Sequence, residues 1–206
     1  MDHHHRTNKC SDPIWGGIQR FGAAFALIIC LPALAAIALA IRLDSPGPII
    51  FQQRRPGWRG RQFTAMKFRS MTDGTEKHTR FGVSNTDPRI TRVGCVLRAT
   101  KLDELPQLWN IVRGDMRFVG PRPIPIALDE ALRRAIPGFS DRYAVKPGLT
   151  SLAQICVTDN GLDEHLVRDW NQRFEAERRY IDRCAPAYDV IVLCMTALFV
   201  LRKMVI

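Results

Sequence analysis

From Phe21 to Ile41 the chain carries no charged residue, and about 20 apolar residues in succession is the length at which a helix crosses the hydrocarbon core of a bilayer. Such a segment must satisfy its own backbone as a helix, and whatever follows it has to work beside a membrane. Pro32 stands near its middle, where a proline removes one backbone hydrogen bond and bends the helix. Arg6, Lys9 and Arg20 precede the run, while Arg42, Arg54, Arg55, Arg59 and Arg61 follow it. Positive flanks stay on the cytoplasmic side, so two of them favour a re-entrant hairpin that enters and leaves by one leaflet; a kinked spanning helix is the alternative. A cleaved secretory signal is disfavoured by the length of the run, by the lack of a clear Ala-x-Ala site before a mature start, and by the basic region directly after it.

At 206 residues the chain has room for one globular domain and an appendage rather than two full domains. The expected division is a tail over 1–20, a membrane-inserted helix over 21–45, and a mixed α/β, helix-rich domain over 46–206 that ends in a membrane-surface helix. Lys and Arg number 30 against 20 Asp and Glu, a net charge of +10, which points to nucleic acid, anionic lipid headgroups or phosphorylated substrates. Charge does not choose among them. The six cysteines lie scattered without a Cys-x-x-Cys pair, and of the five histidines three stand at 3–5 while His78 and His165 are isolated. Neither a disulfide framework nor a zinc site is expected.

After the apolar run, Ile49-Ile50-Phe51 and Phe63 to Met71 flank Arg54-Arg55-Pro56-Gly57-Trp58-Arg59-Gly60 and read as a basic β-hairpin. The polar stretch from Asp73 to Asp87 reads as a loop. Helical spacing returns over Val93 to Val112, near Ile126 to Ile136, and from Leu162 to Ile181. Lys146-Pro147-Gly148-Leu149-Thr150 supplies a turn before a short apolar strand, Leu152 to Val157. Val190 to Leu201 is uncharged but only about a dozen residues long, so it packs on the core or lies at the membrane surface.

The densest chemistry lies between Asp87 and Pro123, where acids, arginines and stiff Gly/Pro turns crowd together. Leu-Asp-Glu occurs three times, at 102–104, 128–130 and 162–164, and an Asp-Glu pair on a helix is usually solvated surface. The second and third copies fit that reading. The first is followed by Leu105, Leu108, Trp109 and Val112 at helical spacing, with Pro106 suited to a first turn and Gly114 to a stop. Asp103 is therefore expected near a helix start, where free N–H groups and the dipole favour its ionised form and attract phosphate. Adjacent acids in that setting suit a nucleophile, a base or a metal ligand in phosphoryl chemistry.

Three groups of cations accompany the acids. Lys67 and Arg69 on one strand would share a face and could reach a diphosphate, unless that face is simply solvated. Arg122, in Gly120-Pro121-Arg122-Pro123, has a proline on either side, which presents its planar fork at little ordering cost; a purely structural proline loop is the alternative. Arg54, Arg55, Arg59 and Arg61 surround Trp58, a pattern open to nucleic acid but more simply an anchor on anionic lipid, with Trp58 at headgroup depth.

Taken in order, Leu43-Asp44-Ser45-Pro46-Gly47-Pro48, Phe51-Gln52, Arg55-Pro56-Gly57, Lys67-Phe68-Arg69-Ser70-Met71 and Asp87-Pro88-Arg89-Ile90-Thr91-Arg92-Val93-Gly94 form the first half of a signature. Leu97-Arg98, Leu102-Asp103-Glu104-Leu105-Pro106-Gln107-Leu108-Trp109-Asn110, Gly114-Asp115-Met116, Val119-Gly120-Pro121-Arg122-Pro123 and Lys146-Pro147-Gly148-Leu149-Thr150 with Ala153-Gln154 complete it. With these motifs the chain resembles the bacterial sugar transferases, the monotopic polyprenyl-phosphate phosphoglycosyl transferases. The resemblance implies transfer of a phosphosugar from a nucleoside diphosphate sugar, such as a UDP-sugar, to polyprenyl phosphate, with magnesium and a covalent aspartyl intermediate, initiating glycoconjugate or exopolysaccharide assembly. Asp103 would be the nucleophile and Glu104 its catalytic neighbour; Glu104 and Asp103 would hold Mg2+. Lys67, Arg98 and Arg122, with Pro121 beside it, would position phosphates, and Pro32 would break a re-entrant helix.

The same resemblance places the chain at the bacterial inner membrane, with its catalytic domain on the cytoplasmic face and in contact with anionic lipids; it leaves room for a homodimer and gives nucleic acid no part. Three departures stand out: Leu31 where a Ser often precedes the breaking Pro, Ser151 where many members have Gly, and Cys156-Val157-Thr158 in place of a frequent Asn-Gly-Arg. The last bears on nucleotide or sugar preference. A catalytically weakened family member and a basic membrane-attached scaffold are the competing readings.

Overall fold

The apolar run folds as α1 (Pro13–Asp44) in a computed structural model that describes residues 13–72, 74, 87–156 and 166–205. The helix begins at Pro13 rather than Phe21, and its 32 residues give a length of about 48 Å at 1.5 Å per residue. Helical conformation continues through Pro32, so the expected break does not interrupt the secondary structure; a helix can absorb the single N–H that proline lacks. Packing nevertheless divides α1 into two limbs. Ala23, Ala26 and Leu27 pack with Leu108, Ile111 and Met116, and Leu34, Ile37, Ala38 and Ile41 pack with Phe68 and Leu97. Between them Ile28, Ile29 and Leu31 are 64%, 62% and 57% exposed.

The basic hairpin forms as expected: β1 (Ile50–Pro56) pairs antiparallel with β2 (Gln62–Phe68), in a register that sets Phe51 opposite Lys67 and Arg55 opposite Phe63. Its turn passes through Arg59 at φ 55° and Gly60 at φ 73°. Because side chains alternate across a sheet, residues 51, 53, 55, 63, 65 and 67 share one face. The opposite face carries Phe68, buried against Ile41 and Leu97.

The helical spacing over 93–112 resolves into three pieces, α2 (Arg92–Thr100), a 3-10 turn over Leu102–Glu104, and α3 (Gln107–Arg113). Thr91 Oγ1 accepts the Gly94 N–H at 3.0 Å and Asp44 Oδ2 accepts that of Val93 at 3.0 Å, which satisfies two of the open donors at the start of α2. Lys101, in the left-handed region at φ 61°, ends it. A Cβ on Gly94 would lie 2.0 Å from the Ser70 carbonyl oxygen, so only glycine lets α2 sit this close to the end of β2.

Strand β3 (Arg117–Val119) runs parallel to β4 (Gly148–Thr150), and α4 (Ile126–Ala135) with a 3-10 segment over Phe139–Ala144 makes the connection. The strand expected over 152–157 is instead α5 (Leu152–Cys156), and the strand stops before it. Ser151 is the reason: its Oγ accepts the Gln154 N–H at 3.2 Å, a side-chain bond that starts a helix. Next come α6 (Leu166–Arg183) and α7 (Pro186–Val205).

One core unites α4 with α6 through Leu128, Leu132, Phe139, Trp170 and Phe174. A second joins β3, α6 and α7 through Val119, Tyr180 and Val192. Helix α7 leaves Val190, Ile191, Met195, Leu198 and Phe199 on an exposed apolar face. Its buried Asp189 accepts hydrogen bonds from Trp15 Nε1 at 2.7 Å and Tyr180 OH at 2.7 Å, tying α1, α6 and α7 together. Cys30, Cys95, Cys156 and Cys194 are free thiols. The loop over 75–86, the third Leu-Asp-Glu copy, His78, His165 and Thr158 lie outside the described residues.

Candidate active site

Three elements meet at Glu104. The 3-10 turn presents Asp103 and Glu104, both under a tenth exposed; β2 supplies Lys67, and the loop after β3 supplies Arg122. Glu104 Oε1 accepts from Lys67 Nζ at 2.8 Å and also from Arg122 NH2, while Oε2 accepts from Arg122 NH1 at 3.1 Å. This is a fork-on-carboxylate contact with a lysine added, the stronger class of hydrogen bond. The two cations hold the Glu104 carboxyl well below its ordinary range despite burial.

Asp103 is held differently. Its Oδ2 stands 4.0 Å from Lys67 Nζ, beyond hydrogen-bonding distance, and its Oδ1 is buried without a hydrogen-bond partner. Burial pushes its carboxyl pKa up, with Lys67 the chief counterweight. This corrects the expectation of a carboxylate stabilised at a helix start: α3 begins only at Gln107, after the 3-10 turn. The unpartnered carboxylate is the more basic and less encumbered of the pair, the properties of an attacking group. Glu104 has both oxygens occupied.

Lys67 is lowered to about 8, burial outweighing the pull of Glu104 and the neighbouring Arg122 and Arg55 pushing the same way. Its expected strand partner Arg69 goes elsewhere. Arg69, just past the end of β2, donates from NH2 to Ser45 O at 2.7 Å and Ser45 Oγ at 2.9 Å, clasping the end of α1; the Lys67–Arg69 phosphate pair does not form. Arg98 lies in the last turn of α2; Asp87 is held down to about 2 chiefly by hydrogen bonds from Arg89, with the charge of Arg98 a minor addition. Among the described residues Arg98 makes no hydrogen bond to either dyad carboxylate.

The Gly120–Pro123 loop is held at every residue. The Gly120 N–H donates to Thr150 O at 3.0 Å and the Gly148 N–H to Pro121 O at 3.0 Å. A Cβ on Gly148 would lie 2.1 Å from the Gly120 nitrogen, so glycine permits the two chains to meet. Arg55 NH1 donates to Pro123 O at 2.5 Å, and Arg122 itself is anchored by Arg142 and Glu177. In the sequence Arg55 stands in a basic cluster, yet hairpin parity places it on the sheet face of Lys67; its exposed neighbours Arg54, Arg59 and Arg61 stay in solvent. Glu177 also carried a signal, since it falls on the apolar stripe of α6 with Trp170 and Phe174.

The second Leu-Asp-Glu copy departs from a solvated surface. Asp129 is buried and accepts from Tyr143 OH, with Arg133 Nε 3.1 Å away, while Glu130 is exposed. Among the described residues no three His, Cys, Asp or Glu side chains converge to cage a metal. Magnesium commonly uses only one or two carboxylates beside substrate phosphates and water, and the orphaned Asp103 Oδ1 fits that sparse demand. Glu104 fits it only on loosening one of its cations.

Residues 16–203 match the family model described as bacterial sugar transferase. A UDP-glucose:undecaprenyl-phosphate glucose-1-phosphate transferase of Escherichia coli (strain K12) is 39% identical over 176 residues, 84% of this chain and 37% of the relative. A protein of the same description from Caulobacter vibrioides is 40% identical over 174 residues, 84% of this chain and 64% of the relative. A UDP-N-acetylgalactosamine-undecaprenyl-phosphate N-acetylgalactosaminephosphotransferase of Aeromonas hydrophila is 35% identical over 203 residues, 95% of this chain and 47% of the relative. The chain thus spans between about a third and two thirds of the length of these relatives.

Proposed function

The chain belongs to the bacterial sugar transferase family, and on that footing we propose that it moves a sugar 1-phosphate from a UDP-sugar to a polyprenyl phosphate at a membrane. The observation that carries this reading is the inequality of the dyad: Glu104 is saturated by Lys67 and Arg122, and Asp103 beside it makes no side-chain hydrogen bond. In the first step an Asp103 carboxylate oxygen forms a bond to the sugar-linked phosphorus, and the bond from that phosphorus to the bridging oxygen breaks. UMP leaves with the electron pair. In the second step an oxygen of the polyprenyl phosphate attacks the same phosphorus, the aspartyl–phosphorus bond breaks, and polyprenyl diphosphosugar is released with Asp103 restored. That product is a lipid-linked primer for later glycosyl transfer, the first step of glycoconjugate or exopolysaccharide assembly.

Lys67 and Arg122 bind and orient the phosphates, and Arg55 adds charge behind Lys67. Counting Arg55, three cations face two carboxylates, an excess that an incoming diphosphate offsets. Glu104 and Asp103 would hold magnesium, which when bound neutralises phosphate charge. Arg98 stands outside this inner set and acts on a part of the donor beyond the dyad.

We read α1 as re-entrant, with the domain on the cytoplasmic face. Both limbs of α1 pack on one domain while residues 28–33 between them are exposed but for the half-buried Cys30, a distribution suited to a tip that enters the bilayer and returns. Labelling single cysteines at Gly17 and Leu43 in intact cells tests it: labelling of both from the same side fits a hairpin, and labelling from opposite sides refutes it. The chemistry is tested by intact mass. Donor without acceptor should add one phosphosugar to the protein and release one UMP, and Asp103→Asn should abolish both; an adduct that survives in that variant refutes the nucleophile assignment. A panel of UDP-sugars identifies the sugar, since the relatives act on more than one.

A further inference from the structure

Arg142 and Glu177 form an ion pair at 3.0 Å that is almost wholly inside the protein, 4% and 1% exposed at their side chains. Arg142 lies over the rings of Phe139 at 4.7 Å and Trp170 at 5.7 Å. Pairs buried this deeply are a poor source of stability, because the cost of removing both charges from water rivals their attraction. Burial indeed pushes the Glu177 carboxyl above its ordinary pKa even with Arg142 against it. What the pair does hold is specific. Glu177 Oε1 accepts the backbone N–H of Arg122 at 3.0 Å, and Arg142 NH2 donates to the backbone carbonyl of the same residue at 2.6 Å.

We propose that Glu177 and Arg142 are a positioning pair that fixes Arg122, through both of its backbone polar groups, in register with the Asp103–Glu104 dyad. The proposal rests on the reading that Arg122 handles the donor's phosphates. Prolines on both sides already limit the backbone of Arg122; the ion pair supplies what they cannot, a fixed height and direction of the fork relative to Glu104. The Arg122 side chain contacts Glu104, a contact it must share with an incoming diphosphate. A misplacement of about 1 Å is enough to cost on the order of a hundredfold in rate at such sites.

The test is a mutant cycle on donor turnover with the full chain in lipid nanodiscs, using Glu177→Gln and Arg142→Lys, each in the parent and in an Arg122→Ala background, with thermal melting of every variant. Glu177→Gln keeps the shape and one acceptor oxygen; Arg142→Lys keeps charge and carries the comparison if the first variant does not purify folded. Each single change is expected to lower kcat/KM about tenfold in the parent and by less than about twofold once Arg122 is absent, since residues acting as a unit are non-additive. Equal losses in both backgrounds, or none in the parent while Arg122→Ala is severely impaired, overturn the proposal. Wild-type turnover by Arg122→Ala overturns it too, and that arm locates the failure in the reading of Arg122 rather than in the pair.

Discussion

Leu102-Asp103-Glu104 and Leu128-Asp129-Glu130 are the same tripeptide in two settings. In both the aspartate is buried and its Oδ1 lacks a hydrogen bond, so neither burial nor an orphaned oxygen distinguishes a reactive acid. The neighbours do. At the second copy Tyr143 donates to Asp129, Arg133 of the same helix approaches from a half-exposed position, and Glu130 points to solvent. At the first, the glutamate turns inward and collects Lys67 from a strand and Arg122 from a loop, leaving Asp103 with a single cation at 4.0 Å. Cations gathered from separate parts of the chain that outnumber the acids they surround form a site for a third, anionic party; local partners that satisfy an acid form a strut.

The largest effect expected from this contrast is at the two aspartates. Asp103→Asn should lower turnover by on the order of 10⁴-fold or more, the scale of losing an attacking group, while Asp129→Asn stays within about twofold in the same assay. Comparable losses at both would erase the distinction. The glutamates come next. Glu104→Gln removes the charge that orders Lys67 and Arg122 and should cost on the order of 10²-fold, whereas Glu130→Gln, at an exposed position, should leave kcat/KM unchanged.

A smaller effect lies in pH. Lys67 has its pKa lowered to about 8, so it carries its charge below that pH and loses it above. Donor kcat/KM, which reports the free enzyme, should be level below about 8 and fall by up to tenfold per unit above it. Lys67→Arg, permanently charged, should lower the plateau yet remove this alkaline limb. A limb that persists in that variant would assign the titration to another group. On the acid side Asp103, raised by burial, must be ionised to attack, so activity should fall as pH drops through a value above its ordinary one.

Much of the site was legible because its logic is local. The apolar run, the basic hairpin, and Gly114 as a helix stop follow from period and turn chemistry, and the Pro-flanked Arg122 lies against Glu104 of the dyad. Other readings failed where tertiary partners decide. Arg69 follows Lys67 by two residues, but β2 ends at Phe68 and Arg69 turns to the carbonyls at the end of α1. Nothing local distinguishes Arg98, placed near Asp87, from an arginine at the dyad. The stabilisation expected for the Asp103 carboxylate assumed a helix start that the left-handed Lys101 and a 3-10 turn displace. Arg55, Arg142 and Glu177 were readable in principle, from strand parity or from a charge on an apolar stripe, but only once the pairing register and packing face are known.

The smallest expected effect is the one that most sharpens the comparison, because it separates a strut from a site at one oxygen atom. Tyr143→Phe removes the donor from Asp129 and leaves the ring in place, so it keeps the wall that Tyr143 shares with Pro121, Arg122 and Pro147 around a small recess. Burial and the adjacent carboxylate push the Tyr143 phenol above its ordinary pKa, so the hydroxyl donates throughout the working range. Its loss leaves a buried carboxylate with Arg133 alone, at a cost of about 2 kcal/mol for a hydrogen bond to a charged group. For a chain of this size that is a fall of roughly 4–8 °C in melting temperature. Turnover measured well below that temperature should stay within about twofold, because the polar partners of the Asp129 side chain are Tyr143 and Arg133 rather than Lys67, Glu104 or Arg122. A drop in kcat with the melting temperature unchanged would instead mean that the second copy reaches the phosphate site through the recess beside Arg122, and the two tripeptides would then be parts of one active centre.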